Sequence, residues 1–173
     1  MESKARGPSR FGSRRPPERS GADGAQHLTL RLGSGEYAID ILRVQEIRSY
    51  EQPTRMVNAP DFILGVINLR GVMVPIIDLR VKLELALVEY TQFTVVVIVQ
   101  VRGGLVGTVV DAVCDVVNLS SEAIKPAPQF ESAIEARFMA GLATIGERML
   151  IVIDLDALLS NAEMGLVADA LRP

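Results

Sequence analysis

The chain has 173 residues, of which 49% are hydrophobic and 23% charged, with a formal net charge of −3. That length suits one domain or two small intimate ones, and the apolar share is enough to bury a sizeable core. The mild charge excludes a bulk polyanion-binding role, the absence of Trp and the 5% aromatic content argue against a base-stacking platform, and the lone Cys114 rules out an intramolecular disulfide, which fits a reducing cytoplasm.

Residues 1–25 are rich in Gly, Pro, Ser and Arg, and Phe11 is their only large apolar side chain after Met1. A segment of that kind cannot bury enough surface to offset its ordering entropy, so 1–25 is predicted to be a disordered basic tail and 26–173 the folded domain. Six basic residues against three acidic ones give the tail a net +3 and leave −6 on the rest. Arg14-Arg15 lacks the apolar run that an export signal requires.

From residue 28 the pattern changes. Leu28–Leu32 alternates, Gly33-Ser34-Gly35 turns, and Glu36–Asp40 continues, as in a hairpin. A second hairpin is predicted over Gly65–Leu69 and Val72–Leu79, around Arg70-Gly71. A third joins Thr91–Val101 to Leu105–Val110 across Arg102-Gly103-Gly104. Dense Val, Ile and Thr with glycine turns point to barrels or sandwiches, hence an all-β class. A short helix is predicted at Leu79–Leu87 and a longer C-terminal one at Asp156–Leu171. The longest apolar stretch, near Val95–Val99, is far short of the roughly 18 residues of a membrane span.

The chain repeats itself. Phe62–Leu79 aligns without gaps on Phe138–Leu155, with identities at Phe62/Phe138, Gly65/Gly141, Met73/Met149, Ile77/Ile153, Asp78/Asp154 and Leu79/Leu155. Tyr37–Ile47 aligns more weakly on Val106–Val116, where Val44 meets Val113 and Glu46 meets Asp115. This predicts a duplicated unit of roughly 70 residues, two small barrels, and a groove between them for a partner.

Reactive constellations are missing from the sequence. The only histidine, His27, sits at the edge of the tail, which leaves no His-based catalytic group or metal cluster. Cys114 lies in an apolar strand pattern and is predicted to be buried and inert. Asp78 and Asp154 end apolar strands at matching repeat positions and are read as turn-capping carboxylates. No phosphate loop is present. The expectation is a protein that is not an enzyme and holds no cofactor and no metal.

Gly65–Arg80 (GVINLRGVMVPIIDLR) and Tyr37–Ile47 closely resemble the signatures of CheW-type chemotaxis coupling proteins. The likeness extends through Gly107–Asp111, Ile124–Pro128 and Arg148–Ile151, covering about residues 28–165; the tail inherits nothing from it. The resemblance implies two intertwined five-stranded SH3-like barrels. It implies a non-enzymatic scaffold that joins the regulatory domain of a CheA-type histidine kinase to the cytoplasmic tips of methyl-accepting chemoreceptors. Such a protein is cytoplasmic, recruited to membrane-bound receptor arrays without inserting in the membrane, binds no nucleic acid and associates weakly with itself. The same domain could instead serve another receptor–kinase pathway, such as pilus-driven motility. By the same likeness, Val44, Val95, Val113 and Val116 line or flank a receptor-helix groove, plain core being the alternative for each. Ile41, Glu46 and Arg70 resemble further positions that meet receptor or kinase. Gly65 and Gly71 are read as serving backbone geometry.

Overall fold

Alternating apolar residues and glycine turns resolve into ten strands in the computed structural model, which describes residues 24–85, 88–126 and 138–159. In chain order these are β1 (Ala25–Leu32), β2 (Gly35–Asp40), β3 (Val44–Ser49), β4 (Ile63–Leu69), β5 (Val72–Asp78), β6 (Val95–Val101), β7 (Gly104–Val110), β8 (Ala112–Leu119), β9 (Met139–Ile145) and β10 (Arg148–Ile153). Single helical turns follow β5 (α1, Leu79–Lys82) and β10 (α2, Leu155–Leu158). Most of the expected C-terminal helix, and nearly all of the tail, lie outside the described residues.

The strands form two five-stranded sheets, ordered β8-β1-β2-β10-β9 and β3-β6-β7-β5-β4. β1–β5 come from the first repeat and β6–β10 from the second. Each sheet therefore takes two strands from one repeat and three from the other, so the two units are intertwined. Their registers agree residue by residue. Val152 faces Ala38 in the first sheet where its repeat mate Ile76 faces Gly107 in the second. Leu30 faces Val113 where Val99 faces Val44. The phenylalanines Phe62 and Phe138, also repeat mates, share one cation, Lys82, at 4.6 and 5.6 Å from the two ring centres.

Side chains alternate across each strand, and the alternation sorts the core into three clusters. Along β6, Val97, Val99 and Val101 point into a central cluster with Leu28, Leu30 and Leu32 of the other sheet. Val96 and Ile98 point the opposite way, into the second sheet's own core with Leu69, Val74 and Ile76. Ala38, Leu119, Ala143, Leu150 and Val152 fill the first sheet's core. β6 is thus apolar on both faces, which is why its sequence reads as a continuous run. Each fully buried aliphatic side chain contributes about 1.5–3 kcal/mol, and the central cluster applies that energy to holding the two sheets together.

Gly65 and Gly141 have φ of 154° and 157°. A Cβ on either would lie 2.0 Å from the Thr54 carbonyl oxygen or 2.4 Å from that of Lys125. Both glycines let a neighbouring segment pass close by, at equivalent bridges from Thr54 to Val66 and from Lys125 to Leu142.

Two expectations are corrected. Cys114 is exposed, not buried. β8 is an edge strand, and between the pairs Leu30–Val113 and Leu28–Val116 it has two residues where β1 has one. The resulting bulge carries Cys114 out of the apolar alternation. His27 is not at a loose edge: it sits within β1, only 6% exposed, with Nδ1 3.0 Å from the Ala25 carbonyl.

Candidate partner-binding site

Three of the four groove valines flank the central cluster. Val44 starts β3, Val95 starts β6 and Val113 lies on β8; all are half-buried at the margin of the central cluster. Val116 lies across from Leu28 of that cluster but is 48% exposed. The four therefore belong to the faces the two sheets turn toward one another, and none belongs to either sheet's private core. Ile41, in a 3-10 turn between β2 and β3, packs on the same cluster.

Glu46 and Arg70 come together at one end of the second sheet. Glu46 sits on the outer strand β3, and Arg70 stands in the β4–β5 turn with φ of 52°. Arg70 Nη2 lies 2.6 Å from Glu46 Oε1, with the arginine side chain 71% exposed. Arg48 approaches the other Glu46 oxygen at 3.8 Å. Gly71 follows at φ 92°, with open space where a Cβ would stand, and donates its N–H to Asn68 Oδ1 at 2.7 Å. It is the backbone angle, not crowding, that asks for glycine there. Exposed Ile47, Val72 and Met73 lie on the strands that carry this ion pair. Next to it, a cleft of about 270 Å³ opens between the end of β3 and β4, lined by Arg48, Thr54, Val66 and Asn68. This cleft lies within the second sheet, not between the sheets.

The contacts of four arginines, Arg80, Arg148, Arg43 and Arg102, were not singled out from the sequence. Arg80 is fully buried, with Nε and Nη2 each 2.9 Å from the Asp78 carboxylate and Nη1 2.7 Å from Asp111 Oδ1. It also donates to the Glu89 carbonyl at 2.6 Å and stacks over Tyr90. Burial opposes its charge, but the bonds to Asp78 and Asp111 more than restore it, so the guanidinium titrates above its ordinary value. Burial and a 2.7 Å bond to Asp78 push the Tyr90 phenol upward. On the first sheet, Arg148 grips both Glu36 and Asp115. Arg43 binds Asp156 at 2.6 Å and the Gln100 carbonyl at 3.0 Å, and Arg102 donates its backbone N–H to Asp156. Extending the repeat by one position past Leu79/Leu155 would have exposed the opposed charges of Arg80 and Asp156. Asp78 and Asp154 do cap turns, accepting from the N–H of Arg80 and of Ala157. Among the described residues no cluster of His, Cys, Asp or Glu could hold a metal ion, and no helix is long and apolar enough to cross a membrane.

A CheW-like domain profile matches residues 26–163. The chain belongs to the CheW family of chemotaxis scaffold proteins. It is 53% identical to the chemotaxis protein CheW of Klebsiella aerogenes, covering 83% of this chain and 87% of that one. It is 40% identical to a probable CheW of Rhizobium etli, covering 79% and 88%. The crystal structure of the scaffolding protein TtCheW from Thermoanaerobacter tengcongensis matches with a TM-score of 0.75 at 29% identity, over 81% of this chain and 95% of that one. The two intertwined five-stranded sheets are thus the CheW arrangement.

Proposed function

We propose that this CheW-family chain couples chemoreceptor signalling tips to the regulatory domain of a CheA-type histidine kinase, without catalysis of its own, and is drawn by them into receptor arrays. Coupling needs two separate surfaces on one rigid body. The central cluster supplies the rigidity, since it joins both sheets. Val44, Val95 and Val113, half-buried at its margin, and exposed Val116 are the apolar positions that would meet the stripe of a receptor helix. The observation that carries the reading is the Glu46–Arg70 pair: a charged, exposed contact at a hairpin tip that the repeat does not require, because Arg70 aligns with Gly146. The test is a pull-down of the full chain with a kinase regulatory domain and, separately, with a receptor signalling tip. Capture by both at micromolar concentration supports coupling. Capture by neither rejects it.

A further inference from the structure

The two intertwined units are braced at equivalent junctions by ion pairs of opposite polarity. At one junction the helical turn of the first unit supplies a cation, Arg80, and the segment after β7 of the second unit supplies the acid, Asp111. At the other, the helical turn of the second unit supplies the acid, Asp156, and the segment after β2 of the first unit supplies the cation, Arg43. The surroundings of the two junctions draw on repeat-related backbone groups. Asp111 donates its backbone N–H to the Arg31 carbonyl, and Arg43, one position beyond Asp111's repeat mate Leu42, donates its side-chain Nη1 to the carbonyl of Arg31's mate Gln100. The Gly33 N–H donates to Asp111, where that of its mate Arg102 donates to Asp156.

We propose that this inversion is a pairing code: it makes each unit fit the other unit and reject a copy of itself. A duplicated, strand-exchanged fold has an obvious wrong partner, the same unit of a second chain, since the registers are identical. First-with-first pairing would set Arg80 toward Arg43, and second-with-second would set Asp156 toward Asp111. Asp40, the first unit's own acid at the start of the Arg43 turn, already caps the Leu42 N–H. Like charges brought together at these two junctions, one buried and one partly exposed, act against the wrong complex. Only the first-with-second arrangement makes both braces attractive.

The test inverts one brace and leaves both native ion pairs possible. In the full chain, Arg43→Asp with Asp156→Arg gives both junctions the same polarity, so same-unit pairing is no longer penalised. Arg43→Glu with Asp156→Lys repeats the inversion with different side-chain lengths, should the first variant not fold. Arg43→Gln with Asp156→Asn removes the brace but keeps the Arg80–Asp111 polarity. Each protein is refolded from denaturant at rising concentration, diluted, and sized by light scattering after gel filtration. The inverted variants should yield at least about fivefold more oligomer that survives dilution than the native chain, while the neutral variant should stay near native. Native-like yields from the inverted variants, or an equal rise in the neutral one, would overturn the code, the second by tracing the effect to lost stability alone.

Discussion

Glu46 and Asp115 hold equivalent places on β3 and β8, yet they meet their arginines differently. Arg70 projects from the tip of the β4–β5 turn and, among the described residues, has one close carboxylate partner, Glu46. Arg148 is the first residue of β10, 36% exposed, and is held by Glu36 and Asp115 together, while Asp115 also accepts from Thr29. In both halves the pair ties an outer strand to the far hairpin. One tie is a three-part brace among strands and the other a single contact at an open tip. Duplication therefore preserved the scaffold while the edge pair of one half stayed the more exposed. The buried Arg80 network, set against the partly exposed Arg43–Asp156 network, repeats the contrast further inside.

The sharpest test of that contrast is Arg80→Met against Arg43→Met. Arg80 is fully buried, and its loss would leave the buried Asp78 carboxylate without its cation, which costs about 3–5 kcal/mol in comparable cases. Many such variants will not fold at 37 °C. Arg43 is 36% exposed, and its removal should lower the melting temperature by only a few degrees. Equal losses in thermal denaturation would mean that the two junctions are energetically alike and the contrast false.

Gly65→Ala and Gly141→Ala come next. Each puts a Cβ against a carbonyl oxygen at a φ that side chains rarely adopt, so both should be destabilised by about 2–4 kcal/mol. Because Gly65 lies in the sheet that carries Glu46 and Arg70, its variant should also lose partner affinity in proportion to its unfolding. Gly71→Ala meets open space and should cost less than either. A ranking from chemical denaturation with Gly71→Ala as the worst would contradict the crowding argument.

Much of this was legible locally. The three hairpins were read within a few residues because alternation and glycine turns are short-range signals, and the duplication was visible in shared Gly, Asp and Phe positions. The exchange of strands between units was not readable from the residues, since which strand neighbours which is a long-range matter; it entered through the family resemblance. Cys114 was misread because a bulge shifts the alternation by one residue, and only the pairing with β1 reveals a bulge. Arg80 was missed because an arginine just beyond a strand looks like a solvated surface residue. Its burial depends on Asp111 and Tyr90, which reach it from distant segments.

A smaller effect separates the two edge arginines. Arg148→Ala should lower the melting temperature by a few degrees and leave partner binding near native once the protein is folded. Arg70→Ala should do the reverse: melting within a few degrees of native, as a surface ion pair worth about 0.2–1 kcal/mol allows, with at least about tenfold weaker binding to receptor or kinase, because a charge stripped of its partner at a desolvated interface is costly. A cycle with Glu46→Ala should be less than additive, since the two side chains touch. Unchanged affinity for both partners in both single variants returns Glu46 and Arg70 to ordinary solvated surface.

The smallest expected effect is in acid, and it probes the braces alone. Asp115 titrates below its ordinary value of 3.8, chiefly through hydrogen bonds from Arg148 and then from Thr29. Asp156 is lowered as well, chiefly by its bond from Arg43. A carboxylate whose pKa falls on folding adds stability that is complete above its unfolded value and is lost as pH drops through the folded one. The contribution of both groups should therefore be intact at pH 7, begin to fade below about pH 4, and be lost as pH falls through the lowered folded values. Asp115→Asn and Asp156→Asn should each melt a few degrees below the native chain at pH 7, and the gap should close as pH falls through that window. The arginines stay charged throughout, so nothing on their side of the pairs changes with pH. A gap that persisted undiminished at low pH would mean that the asparagines disturb hydrogen bonding or packing, not charge, and that the braces act through shape.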